Sequence, residues 1–161
     1  MSSKGLNINN KGILPKKNAF VVIVKTSWNK AIIDKLEKGA KKILKEHQVK
    51  VISIEVPGAV EIPFAVKQHY AFSKKTPDAY IMLGAVIKGG TPHFDYVCNI
   101  VAESTVQLNL QLTVPVIFGV LTLNNEVEAY ERLGGIHGHK GEEAALTALQ
   151  MITLNTKLQE Q

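Results

Sequence analysis

One cysteine, one tryptophan and one arginine are all that 161 residues contain of those three types. With Cys98 alone, no intrachain disulfide can form, so the fold holds without a covalent staple, as in a reducing compartment. Long apolar runs are missing as well. None approaches the roughly 20 residues that cross a bilayer, and Met1 to Lys17 has no apolar centre of the secretory kind. A cytoplasmic protein with no membrane partner is expected. The formal net charge of +5 invites a nucleic-acid partner. However, the lysines fall in scattered pairs (Lys16-Lys17, Lys41-Lys42, Lys74-Lys75), with no stripe interleaved with aromatics and no nucleic-acid module motif. Repeats, low-complexity tracts and linkers are absent too. The expected organisation is a flexible polar arm over 1–17 and a single domain over 18–161.

From Ala19 onward the pattern is regular. Residues 19–25 (AFVVIVK) form a continuous apolar, β-branched run, as a strand buried on both faces requires. Residues 29–46 follow with Ile32, Ile33, Leu36, Ala40, Ile43 and Leu44 on one helical face and lysines opposite. Further strands are predicted over 49–56, 78–87 and 115–122. Helices are predicted over 59–72, 92–110 (with Val97, Ile100, Val101, Ser104 and Leu108 at helical spacing), 125–133 and 139–157. Strands alternating with amphipathic helices predict a parallel sheet covered on both faces. In such sheets ligands bind beyond the carboxyl ends of the strands.

Those ends carry residues that a core does not need. After the first strand stands Trp28, which a core-capping role would explain equally well. After the second comes VPGAVEIP, with Glu61 in an apolar helix start, where the helix dipole alone could favour it. After the third comes GAVIKGGTPHFDYVC. Gly89 and Gly90 allow close backbone approach, Thr91 suits an N-cap and Pro92 the first helical position. Free amides at such a helix start make an anion site of the phosphate type. His93 falls in the first turn, where the helix dipole disfavours a positive ring and leaves a nitrogen free to take a proton. After the fourth strand comes EAYERLGG with Arg132. Its planar guanidinium can grip a phosphate in bidentate fashion, as a lysine cannot. GGIHGHKGEEAA then reads as a flexible glycine-rich turn. His137 and His139 are spaced as two metal ligands could be, but no further cysteine or carboxylate pattern supports a metal. The residues themselves give an α/β protein with a phosphate site beside a histidine base.

Six stretches in order, namely SWN, VPGAVEIPFA, LGAVIKGGTPHFDYVC, PVIFGVLT, EAYERLGG and GHKGEEAA, resemble the lumazine synthase family over about residues 19–157. The resemblance implies a flavodoxin-like three-layer α/β/α sandwich with a four-stranded parallel sheet, extended in some arrangements by an N-terminal strand. It implies condensation of 5-amino-6-ribitylaminouracil with 3,4-dihydroxy-2-butanone 4-phosphate, with no cofactor. By the same resemblance His93 is the proton-transfer residue, and Gly90, Thr91 and Arg132 hold the phosphate. Trp28 would stack on the pyrimidine, Ala59, Val60 and Glu61 would line the ring and ribityl site, and Val86 and Ile87 would offer backbone contacts. Phe118 matches a position that reaches the site from a neighbouring subunit, and Lys140 a polar contact close to the substrates.

The resemblance also implies a homo-oligomer, a pentamer with sites between subunits and riboflavin synthase as an associated protein. No insertion separates Arg132 from Lys140, which favours a shell of 60 subunits. Lys88, His139, Leu123 and Asn124 depart from common family residues. Two other readings share the scaffold: the archaeal-type riboflavin synthase, which dismutates two lumazines, and a non-catalytic shell or flavin-binding protein. The Gly-Thr-x-His and Arg positions speak against both.

Overall fold

The computed structural model describes residues 17–160. Four strands, β1 (Phe20–Thr26), β2 (Lys50–Val56), β3 (Ala79–Ile87) and β4 (Val116–Leu123), run parallel in the order β2-β1-β3-β4. Helices α1 (Lys30–Glu46) and α5 (Lys140–Gln159) pack on one face of the sheet, and α2 (Ile62–Phe72) and α3 (His93–Gln111) on the other. A shorter α4 (Glu126–Glu131) follows β4. This is the expected α/β/α sandwich, with the strand order of flavodoxin-type sheets. The predicted arm and any strand extending the sheet from it lie outside the described residues, apart from Lys17.

Side chains alternate between faces along a strand, which explains the unbroken apolar runs. Val21, Ile23, Ile81 and Leu83 face α1 and α5, whereas Val22, Val24, Tyr80 and Met82 face Ile62, Val66, Val101 and Leu108 of α2 and α3. Strand β2 lies at the sheet edge and is only partly covered, with Ile52 exposed. The apolar stripe of α1 is buried as its spacing predicts. Helix α5 lies so close to α1 that any Cβ on Gly141 would run into the carbonyl oxygen of Leu36.

Three details differ from the sequence reading. Helix α3 buries Val101, Thr105 and Leu108, while Ile100 is exposed and Ser104 partly so; both border a groove with Pro63 and Phe64 of α2. The i, i+4, i+7 stripe is the one that meets the sheet, and the neighbouring apolar positions face outward. Second, α3 starts at His93 and no side chain caps it; Pro92 already has helical angles (φ −62°), so the Thr91 hydroxyl has no capping role. Third, the glycine-rich stretch is a small antiparallel hairpin, β5 (Leu133–Gly135) and β6 (Gly138–His139). Gly134 and Gly138 take positive φ of 104° and 78°, which side-chain-bearing residues rarely adopt. The hairpin ends α4 at Glu131 instead of 133 and leaves Arg132 at its C-cap.

Candidate active site

The strand ends sort the expected residues into two groups. The first surrounds the ends of β1, β2 and β3. The loop after β1 is tied to β2 by backbone bonds from Ser27 N to Val56 O (2.8 Å) and from Trp28 N to Pro57 O (3.2 Å). Asn29, in the left-handed region at φ 57°, reaches across to β3 with an Nδ2–H donated to Ala85 O at 2.9 Å. Trp28 is therefore held outward, 67% exposed, with its ring over Gly58, where a Cβ would come within 2.9 Å of it. The stretch Ala59–Glu61 is a single 3-10 turn running into α2, with Ala59 buried and Val60 and Glu61 exposed. One carboxylate oxygen of Glu61 accepts the Gly58 N–H at 2.9 Å; the other has no partner among the described residues. Val86 and Ile87, half-buried, end β3, and Gly89, Gly90, Thr91 and His93 follow, all exposed. A Cβ on Gly89 or Gly90 would meet nothing within 4 Å, so packing within the chain does not require glycine at either position.

The second group lies on the β4 side. Phe118, Arg132, His137 and Lys140 line an open groove of about 510 Å³ with Glu128, Glu131 and residues of β4. Gly90, Thr91 and His93 do not line it. The β5–β6 hairpin builds this groove: Lys140 N–H bonds back to Arg132 O at 2.8 Å, and His137 N–H to Glu131 O at 3.1 Å. Arg132 Nη1 and Nη2 donate to the two oxygens of Glu143 at 3.0 and 2.8 Å, and Nη1 also donates to the His137 carbonyl. Burial pushes the Lys140 ammonium below its ordinary range; Glu143 opposes that shift and Arg132 adds to it. The groove carries two cations, Arg132 and Lys140, and three carboxylates border it: Glu128 and Glu131 in its lining and Glu143 on the Arg132 guanidinium.

Glu143 and the His137 carbonyl went unnoticed in the sequence. A glutamate in the first turn of a helix is ordinary, and nothing in its spacing marks it as a partner of residue 132. The structure also accounts for His139. Its ring fills a slot left by Gly39 of α1, and its Nδ1 accepts the Glu142 N–H at 3.4 Å, so it is the N-cap of α5. Asn125 does the same for α4, accepting from Glu128 N–H at 3.2 Å, while Leu123 is core. Among the described residues no three His, Cys, Asp or Glu side chains gather as a metal site needs, and no helix is long and apolar enough to cross a membrane.

The family model for 6,7-dimethyl-8-ribityllumazine synthase matches residues 18–156. The chain belongs to that family. Curated relatives bearing the name include one from Cytophaga hutchinsonii, 41% identical over 157 residues, covering 94% of this chain and 98% of the relative. One from Parabacteroides distasonis is 43% identical, covering 83% and 84%, and one from Bdellovibrio bacteriovorus is 45% identical, covering 86% and 76%. Lumazine synthase membership thus spans both groups of strand-end residues, from Trp28 to Glu143.

Proposed function

We propose that the chain is a 6,7-dimethyl-8-ribityllumazine synthase, a transferase of riboflavin biosynthesis. It condenses 5-amino-6-(D-ribitylamino)uracil with 3,4-dihydroxy-2-butanone 4-phosphate and releases phosphate and water. The observation that carries this is the match to relatives of that name over nearly the whole chain, strand-end motifs included. The reaction is a condensation and elimination with no net oxidation, so it needs no redox cofactor.

In this reading Trp28 stacks on the pyrimidine, with Ala59, Val60 and Glu61 along the ring and ribityl chain. Backbone groups of Val86 and Ile87 meet the ring edge. His93 moves protons as the imine forms and phosphate leaves. Gly90 and Thr91 with Arg132 hold the phosphate, and Lys140 lies beside it. Much of the acceleration comes from orientation of two bound reactants, with few protein groups doing chemistry.

Phe118, Arg132 and Lys140 share one groove that excludes His93 and Thr91, which supports a site assembled from two subunits. Exposed apolar side chains of the single chain, such as Phe64 (70%) and Leu110 (76%), support their burial between subunits. The oligomer is a pentamer, and pentamers build a 60-subunit shell in the cytoplasm, with riboflavin synthase as an associated protein. Sedimentation of the purified protein checks the assembly: a lone pentamer rules out the shell. The activity is checked by incubating the protein with both substrates and following fluorescent lumazine and released phosphate. No product from the pair overturns the assignment.

A further inference from the structure

Arg132 has five N–H donors in one plane. Both Nη1 hydrogens are used, one on Glu143 and one on the His137 carbonyl, and one Nη2 hydrogen goes to the other oxygen of Glu143. The remaining Nη2–H and the Nε–H lie together along the side edge of the guanidinium, and no described residue accepts from them. Glu143 is fixed in turn: its side chain is 12% exposed and springs from the first turn of α5, which Gly141 seats directly on α1. Lys140, one residue before that glycine, lines the same groove.

We propose that Glu143, with the His137 carbonyl, is a positioning residue. It clamps the end of the Arg132 guanidinium and so presents the Nε–Nη2 edge to two oxygens of a phosphate monoester, with Lys140 as the second cation. This rests on the lumazine-forming reading and adds the role of a carboxylate to it. A carboxylate beside a phosphate site looks unfavourable by charge alone. The gain is geometric. A loose arginine would have to give up side-chain freedom when the ligand arrives, and a clamped one has already done so.

Two accounts of Glu143 give opposite signs. If it only competes with phosphate for Arg132, its removal tightens phosphate binding. If it positions Arg132, its removal loosens it. In the assembled protein, Glu143→Gln is expected to raise the KM for the butanone phosphate and the inhibition constant of inorganic phosphate by about tenfold, equivalent to about 1.4 kcal/mol. The KM for the pyrimidine should stay near its original value. Glu143→Asp, which keeps the charge on a shorter arm, should recover part of the loss. In an Arg132→Ala background the Glu143 change should have no further effect on phosphate, as expected for a residue acting through the arginine. Tighter or unaltered phosphate binding in Glu143→Gln, or full additivity with Arg132→Ala, overturns the proposal. Should Glu143→Gln fail to assemble, Glu143→Asp carries the same cycle. Binding of inorganic phosphate, read by titration calorimetry on the intact protein and on the variants, tests the clamp without turnover. A protein that makes no lumazine but loses phosphate affinity on Glu143→Gln therefore refutes the functional reading alone.

Discussion

Acid should weaken this fold through one buried carboxylate. Glu37 of α1 faces the strand pair β1–β2 and accepts from Lys25 Nζ at 2.8 Å and Ser53 Oγ at 2.6 Å, with Lys41 Nζ at 2.7 Å. Asp34 and Glu55 also approach Lys25, at 3.9 and 3.6 Å. Burial alone would push the Glu37 carboxyl up; the bonds from Lys25, Lys41 and Ser53 outweigh it and hold it at about 2, against an ordinary 4.5. A depressed carboxylate stabilises the native state above its unfolded value and loses that contribution as pH falls toward the folded one. Holding the carboxyl at about 2 instead of 4.5 corresponds to roughly 3 kcal/mol, present in full above about pH 5 and fading between pH 4.5 and 2. Glu37→Gln keeps the shape and removes the charge, leaving Lys25 nearly buried beside a weaker acceptor. Urea unfolding of both proteins at one fixed subunit concentration should show the variant about 3 kcal/mol weaker at pH 7, with the gap closing toward pH 2. Subtracting one curve from the other removes the titration of every other acid. A gap that stays constant from pH 6 to pH 2, or one below about 0.5 kcal/mol at pH 7, would refute the reasoning.

Three other outcomes are expected. His93→Ala should lower lumazine turnover by about 100-fold or less, since acid–base assistance contributes on the order of 10²–10⁴ and orientation is retained; an unaltered rate in a purified assay rejects His93 as the proton-transfer group. Gly141→Ala should destabilise the fold by about 1–3 kcal/mol or more, because the new Cβ meets the rigid backbone of Leu36, and thermal unfolding of the variant reads it. His139→Asn should leave thermal stability within about 1 kcal/mol, because asparagine is at least as good an N-cap for α5; a large loss would mean that the ring's packing in the Gly39 slot outweighs its capping bond.

The sheet was legible in the sequence because its strands are buried on both faces and therefore run apolar without interruption; only edge strand β2, where Ile52 is exposed, departs from that. Trp28, Glu61 and the Gly89–His93 segment stood out for the same reason in reverse: they interrupt apolar runs at strand ends. Which face of α3 meets the sheet was not legible, because Ile100 and Ser104 share the helical spacing of Val101 and Leu108, and periodicity does not say which stripe the sheet will cover. The β5–β6 hairpin was hidden by its brevity. Three glycines read as looseness, whereas the structure uses two of them at positive φ to fold the chain back. Without that reversal Arg132 has no visible route to Glu143, and so half of the second groove was invisible.

The sequence's single arginine among 19 basic residues gains a physical reason from that reversal. Where exposed lysines of α1 form ion pairs they meet one carboxylate each, as Lys30 meets Asp34 at 3.0 Å and Lys42 meets Glu142 at 3.0 Å, and an ammonium serves a single acceptor well. Position 132 faces two carboxylate oxygens and a carbonyl at once, with an open groove on the remaining side. An ammonium has three donors, so a lysine would spend them on those neighbours and offer nothing planar to a ligand. Only a guanidinium can satisfy the pocket and keep a two-donor edge free. Hence a chain that uses lysine everywhere else carries its arginine where three acceptor oxygens converge on one cation.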